Sequence, residues 1–211
     1  MTGMTGIFRL LGLYVLPIAV AAYAVAAYTL LPLGSMVHPD MKLGFQAHRF
    51  GVYTHVFAAA IALAIGPFQF WARLRTFRPA LHRWLGRTYL GVGVLVGALS
   101  GLYLAQSAFG GAVSRSGFSL LSIAWLASGA MAYACIRRGD VAAHRRWMIR
   151  NFALTFAAVT LRLYVPSALA AGISFESAYP LIAWLCCVPN LVVAEWIARP
   201  IRPLHPLVQP R

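Results

Sequence analysis

Acidic side chains are the scarcest chemical resource of this chain: 211 residues carry only four, Asp40, Asp140, Glu176 and Glu195, against eighteen lysines and arginines. Paired-carboxylate catalysis has little to draw on, so any general acid–base step falls to histidine or tyrosine. The sequence also lacks a phosphate-cradling glycine loop, an H-E-x-x-H segment and a paired-cysteine zinc motif, which removes the familiar hydrolase and phosphotransferase classes. Its three cysteines, Cys135 and the adjacent Cys186 and Cys187, all fall in apolar stretches. They make no disulfide framework and read as small buried apolar residues. Charged residues of either sign amount to 10% of the chain, too few to clothe a soluble domain of this length.

Apolar residues take their place. They make up 61% of the sequence, and the mean hydropathy is +0.73, so the chain reads as an all-α polytopic membrane bundle. A membrane helix needs about 20 predominantly apolar residues. Six segments meet that length, over 8–33, 51–72, 85–107, 117–136, 148–171 and 178–198. The first is far longer than the ~7–15-residue apolar region of a signal peptide and reads as a retained anchor. Pro32 and Gly34, Gly110-Gly111, Gly139-Asp140, Gly172 and Pro200 punctuate the ends of the spans. The tail from Arg199 to Arg211, with four prolines, reads as extended and mobile, and no soluble second domain is expected.

A net charge of +14 would suggest nucleic acid in a soluble protein. Here its distribution points to the lipid bilayer and to no nucleic-acid partner. Arginines gather in alternate turns: Arg9, the run Arg73 to Arg87, the run Arg137 to Arg150, and Arg199, Arg202 and Arg211. The loops 34–50, 108–116 and 172–177 between them are poor in cations. The positive-inside rule places both termini in the cytoplasm and these loops outside.

Two of the arginine-rich turns carry nearly the same words, His82-Arg83-Trp84-Leu85-Gly86-Arg87-Thr88-Tyr89 and His144-Arg145-Arg146-Trp147-Met148-Ile149-Arg150-Asn151-Phe152. Gly66-Pro67-Phe68-Gln69-Phe70 precedes the first as Gly129-Ala130-Met131-Ala132-Tyr133 precedes the second. Spans two–three and four–five therefore read as parallel repeats of one hairpin, with His82 and His144 at facing positions. Such a pair suits the iron of a b-type haem, with Arg83, Arg87, Arg145 and Arg150 beside the propionates and Trp84 and Trp147 at the macrocycle edge. The same residues also meet the demands of topology and of the interfacial aromatic belt, without a ligand.

Two residues inside the spans call for a separate account. His55 lies just within the second span, and Arg162 lies deep in the fifth, where a charge is costly and ordinarily faces a protein interior or a watery cavity. No acidic residue shares the depth of Arg162; Tyr53 and Asn190 are among the polar groups that could share a substrate site with it and His55. Snorkelling to the outer interface is the other outcome for Arg162.

These segments, with His55 leading the second span and the second H-R-R-W run continuing through Phe156 to Arg162, resemble a family of bacterial membrane proteins designated domain of unknown function 2306 (DUF2306), over roughly residues 48–198. The resemblance implies a multi-pass protein of the bacterial cytoplasmic membrane and transfers no activity. More distantly the chain is similar to cytochrome b561-type proteins, which hold two haems between histidine pairs on four consecutive helices. The span from Gly117 to Ile136 has no histidine, so that likeness implies one haem between His82 and His144, and a second would require His48, Met131 or another unusual ligand.

Two functions from different classes follow. In one, the protein transfers electrons through a b-type haem on His82 and His144, with a quinone or another membrane redox partner near His55 and Arg162. In the other, it handles a small molecule or lipid without redox chemistry, as a binding or transporter-like protein, using a cavity at Arg162 and His55 while the H-R-W turns grip anionic headgroups.

Overall fold

The computed structural model describes residues 11–199 and contains no strand among them. Six helices are long and apolar enough to cross a membrane: α1 Gly12–Leu30, α3 Arg49–Gln69, α5 Pro79–Ala105, α6 Gly111–Arg137, α7 Val141–Ala170 and α8 Phe175–Ala198. Two short helices lie in connections, α2 Pro39–Ala47 and α4 Ala72–Phe77. The six expected spans are all present; Arg9 and the proline-rich tail from residue 200 onward lie outside the described residues.

Boundaries differ from the apolar segments in an instructive way. Helices α5 and α7 start at Pro79 and Val141, well before the apolar runs at 85 and 148. Pro79 opens its helix at a position where a missing N–H costs nothing. Asp140 caps α7, its side chain accepting from Ala143 N–H at 2.8 Å. Hydropathy marks only the lipid-embedded part of a helix, whereas backbone hydrogen bonding carries the helix on into the arginine-rich turns. His82 and His144 are consequently each the fourth residue of a helix, in equivalent places at the same end of the bundle.

Between α6 and α7 the chain reverses through Gly139, whose φ of +79° disfavours any residue with a Cβ. The α3–α5 connection is longer and contains α4, so the two hairpins of the proposed repeat differ in how they turn.

Small residues set the interior. Helix α3 presents Ala58, Ala62 and Gly66, and α5 presents Gly93, Gly97 and Gly101, each set at four-residue spacing along one helix face. A Cβ on Gly93 would stand 2.9 Å from Ala62 Cβ and 3.1 Å from Ala62 Cα, so the two backbones are in contact. This is the small-xxx-small packing of membrane helices, where close approach replaces the hydrophobic drive that lipid cannot supply. Around that seam Tyr89, Trp125, Met148 and Phe152 complete a buried core, while large apolar residues such as Leu30, Leu99, Leu120 and Val192 face outward. The protein is an integral membrane bundle of six helices.

Candidate functional site

A polar knot lies at the centre of this core. Asn151, fully buried, donates from Nδ2 to Trp125 O (2.7 Å) and Ser128 Oγ (2.9 Å), and its Oδ1 accepts from the Tyr89 hydroxyl at 2.7 Å. Thr155 Oγ1 accepts from Trp125 Nε1 at 2.9 Å and lies 2.8 Å from the Tyr89 hydroxyl. Every side chain in the knot has a partner, which is the condition for burying polar groups away from water.

Trp125 and Thr155 form the floor of a cavity of about 350 Å³ that runs toward the arginine-poor face. That volume lies within the range of small-molecule sites. All six spans contribute to its wall, and α2 covers its mouth with Asp40, Met41, Gly44 and Phe45. No residue of α2 is buried. The helix is held at its start by His38, which stacks on Phe175 at 4.1 Å and 8° and pairs with Asp40 at 3.3 Å.

His55 and Arg162 both face this cavity. His55 follows the start of α3 by six residues and Arg162 precedes the end of α7 by eight, roughly 9 and 12 Å of helix, so they lie at similar depth. The His55 ring fits because α5 is glycine at 101: a Cβ there would stand 3.0 Å from Cε1 and Nδ1. His55 Nδ1 lies 2.8 Å from Gly97 O. A carbonyl only accepts, so Nδ1 carries a proton, and in the neutral tautomer Nε2 is the acceptor. Arg162 donates Nη1–H to Ala158 O at 3.0 Å. Among the described residues the ion pairs are His38–Asp40 and Arg150–Glu195, so Arg162 has no carboxylate partner there. Tyr28 and Tyr179 share the cavity wall with it.

The other two residues expected beside them are placed elsewhere. Tyr53 packs edge-on against Tyr28 with ring centroids 6.3 Å apart and does not line the cavity. Asn190 is a structural clip between α8 and α7, its Nδ2 donating to Ala153 O, Thr160 Oγ1 and Cys186 O at 3.2, 3.1 and 2.9 Å. His48 precedes α3 and pairs with the Tyr103 hydroxyl at 2.7 Å, away from the His55 ring.

The H-R-W segments sit at the opposite end of the bundle. His144 Nδ1 lies 2.8 Å from Ala132 O. In the first copy the aligned carbonyl, that of Gln69, accepts instead from Arg75 Nη1 at 3.1 Å, and His82 Nδ1 is buried without a partner. Arg83, Arg87 and Arg145 are exposed, as is Trp84. Arg150 lies over the Trp147 ring at 4.7 Å and donates Nη2–H to Glu195 at 2.9 Å, so that arginine is engaged in tying α8 to α7. No group of three or more histidine, cysteine or acidic side chains converges as a metal cage among the described residues.

Several site residues were not anticipated from the sequence: Tyr28, Ser122, Trp125, Thr155 and Tyr179. One signal was available. Trp125 lies mid-span, away from the interfaces where tryptophan ordinarily collects, and its indole N–H there requires an internal acceptor.

The chain matches no curated protein and no solved structure. A family model described as a predicted membrane protein (DUF2306) matches residues 52–198, which hold His55, Arg162, the polar knot and both H-R-W segments. The chain belongs to the DUF2306 family of predicted membrane proteins.

Proposed function

We propose that this protein binds a small membrane-soluble molecule, with His55 and Arg162 as the polar recognition pair, in a cavity that opens on the outer side of the bacterial cytoplasmic membrane. One observation carries the reading: a guanidinium without a carboxylate partner among the described residues stands in the wall of a cavity, part-way along a membrane-spanning helix. A charge near the middle of a span costs about 2.5–3.5 kcal/mol on insertion scales and is retained where it lines a cavity or a pathway. The arginine-rich ends of the spans then lie in the cytoplasm.

Native mass spectrometry of the protein, released from nanodiscs, tests the reading. We expect a co-purifying small molecule in the wild type that is lost in Ala59→Trp, which fills the cavity wall, with helix content unchanged. A bound mass indifferent to Ala59→Trp, or none in the wild type, would sink it.

A b-type haem on His82 and His144 is a second reading, favoured by the way His144 directs Nδ1 at Ala132 O and leaves Nε2 free, the arrangement of a metal-bound histidine. The haem would supply one-electron transfer. Reduced protein expressed with haem should then show sharp α and β bands that vanish in His144→Ala; a colourless wild type overturns this second reading.

A further inference from the structure

Resting on the cavity reading, we infer that the ligand is a small carboxylic acid that also carries a hydroxyl. Arg162 has five N–H donors in a planar fork and spends one nitrogen on Ala158 O. The remaining edge matches the two oxygens of a carboxylate, and no side chain among the described residues occupies that role. Charge limits the class further. Among the described residues Arg162 is the one lysine or arginine lining the cavity, and Asp40 stands at the mouth. A monoanion is balanced there, whereas a dianion would carry an unpaired negative charge into a low-dielectric site past a carboxylate.

His55 and Ser122 define the second polar contact. With Nδ1–H committed to Gly97 O, Nε2 needs a donor. Ser122 shares that part of the wall: a Cβ on Gly101 would lie 3.0 Å from His55 and 3.1 Å from Ser122 Oγ, so both side chains face α5 at that glycine. A ligand hydroxyl donates to Nε2; an analogue without one leaves that acceptor unpaired against the ligand. Around these groups the wall is aromatic and aliphatic, and the cavity of about 350 Å³ has room for a body the size of a single ring.

The experiment is calorimetric titration of the full chain in detergent with hydroxybenzoate (the 3- or 4-isomer, whichever binds tighter), the corresponding hydroxybenzamide, and benzoate. Wild type should bind the acid at least about tenfold tighter than the amide, as a charge-assisted pair exceeds a neutral one. Arg162→Gln should erase that preference while still binding the amide, which also reports that the variant is folded. His55→Leu should erase the preference for hydroxybenzoate over benzoate. Where Arg162→Gln does not fold, Arg162→Lys retains charge without the fork, and the acid–amide comparison in the wild type needs no variant. Equal affinity for acid and amide overturns the carboxylate assignment and leaves the cavity reading intact. No binding of any probe, with the co-purifying mass still lost in Ala59→Trp, does the same; no binding and no co-purifying mass removes both.

Discussion

Gly93→Leu should be the most damaging single substitution on the α3–α5 seam, lowering stability by about 3 kcal/mol or more and breaking the bundle open at its centre. Overpacking a membrane or soluble core ordinarily costs about 1–3 kcal/mol, because flexible side chains give way. Here there is nothing flexible to move: a Cβ at 93 meets Ala62 Cβ at 2.9 Å and the Ala62 backbone at 3.1 and 3.2 Å. Relief requires the two helices to separate. Gly91, two residues away on the same helix, has nothing within 4 Å of its virtual Cβ and faces outward, so Gly91→Leu should leave stability close to that of the wild type. Thermal unfolding of both variants in one detergent gives the comparison. Equal midpoints for Gly91→Leu and Gly93→Leu would show that the backbones do not touch as described.

The same seam builds the site. Gly97 lends its carbonyl to His55, and Gly101 lends the space in which the imidazole sits. Replacing Gly97 with alanine would also press on Trp125, whose ring lies 2.9 Å from the virtual Cβ. The glycine spacing that lets two helices approach is therefore the same feature that seats the imidazole in the cavity wall.

The legibility of this protein in its sequence follows from the range of the forces involved. Span number and helix breaks are read directly, because each depends on a local run of apolar residues or on one glycine such as Gly139. The cost of a buried charge is equally local, and it singled out Arg162 and His55, which the fold brings to one cavity. What sits opposite them is decided by helix rotation and register, which hydropathy does not encode. Tyr53 and Asn190 lie near enough in sequence to have joined the site, yet Tyr53 turns behind Tyr28 and Asn190 is consumed by α7. The Gly93, Gly97, Gly101 spacing would have revealed which face of α5 is buried and hence that His55 meets glycine there. The two H-R-W segments stand at the same position of their helices, and the copies still differ, because Ala132 O serves His144 whereas Gln69 O is taken by Arg75.

Asn151→Ala is the second substitution with a large expected effect, and it separates a polar knot that holds the fold from one that merely occupies it. Asn151 makes three hydrogen bonds across α5, α6 and α7 at 2.7, 2.9 and 2.7 Å. Hydrogen bonds between membrane helices average about 0.6 kcal/mol each, since the unfolded chain in lipid also finds partners. Three of them, with the void left by the amide, bring the expected loss to roughly 2–3 kcal/mol. Tyr89→Phe removes one hydroxyl and should cost about 1 kcal/mol. The double variant should cost less than the sum of the two, because once Asn151 is gone the Tyr89 hydroxyl has already lost one of its two partners. Additive losses would mean that the residues act independently. Trp125 and Thr155 belong both to the knot and to the cavity floor, so Asn151→Ala should also weaken hydroxybenzoate binding in protein that remains folded, although residue 151 does not itself line the cavity.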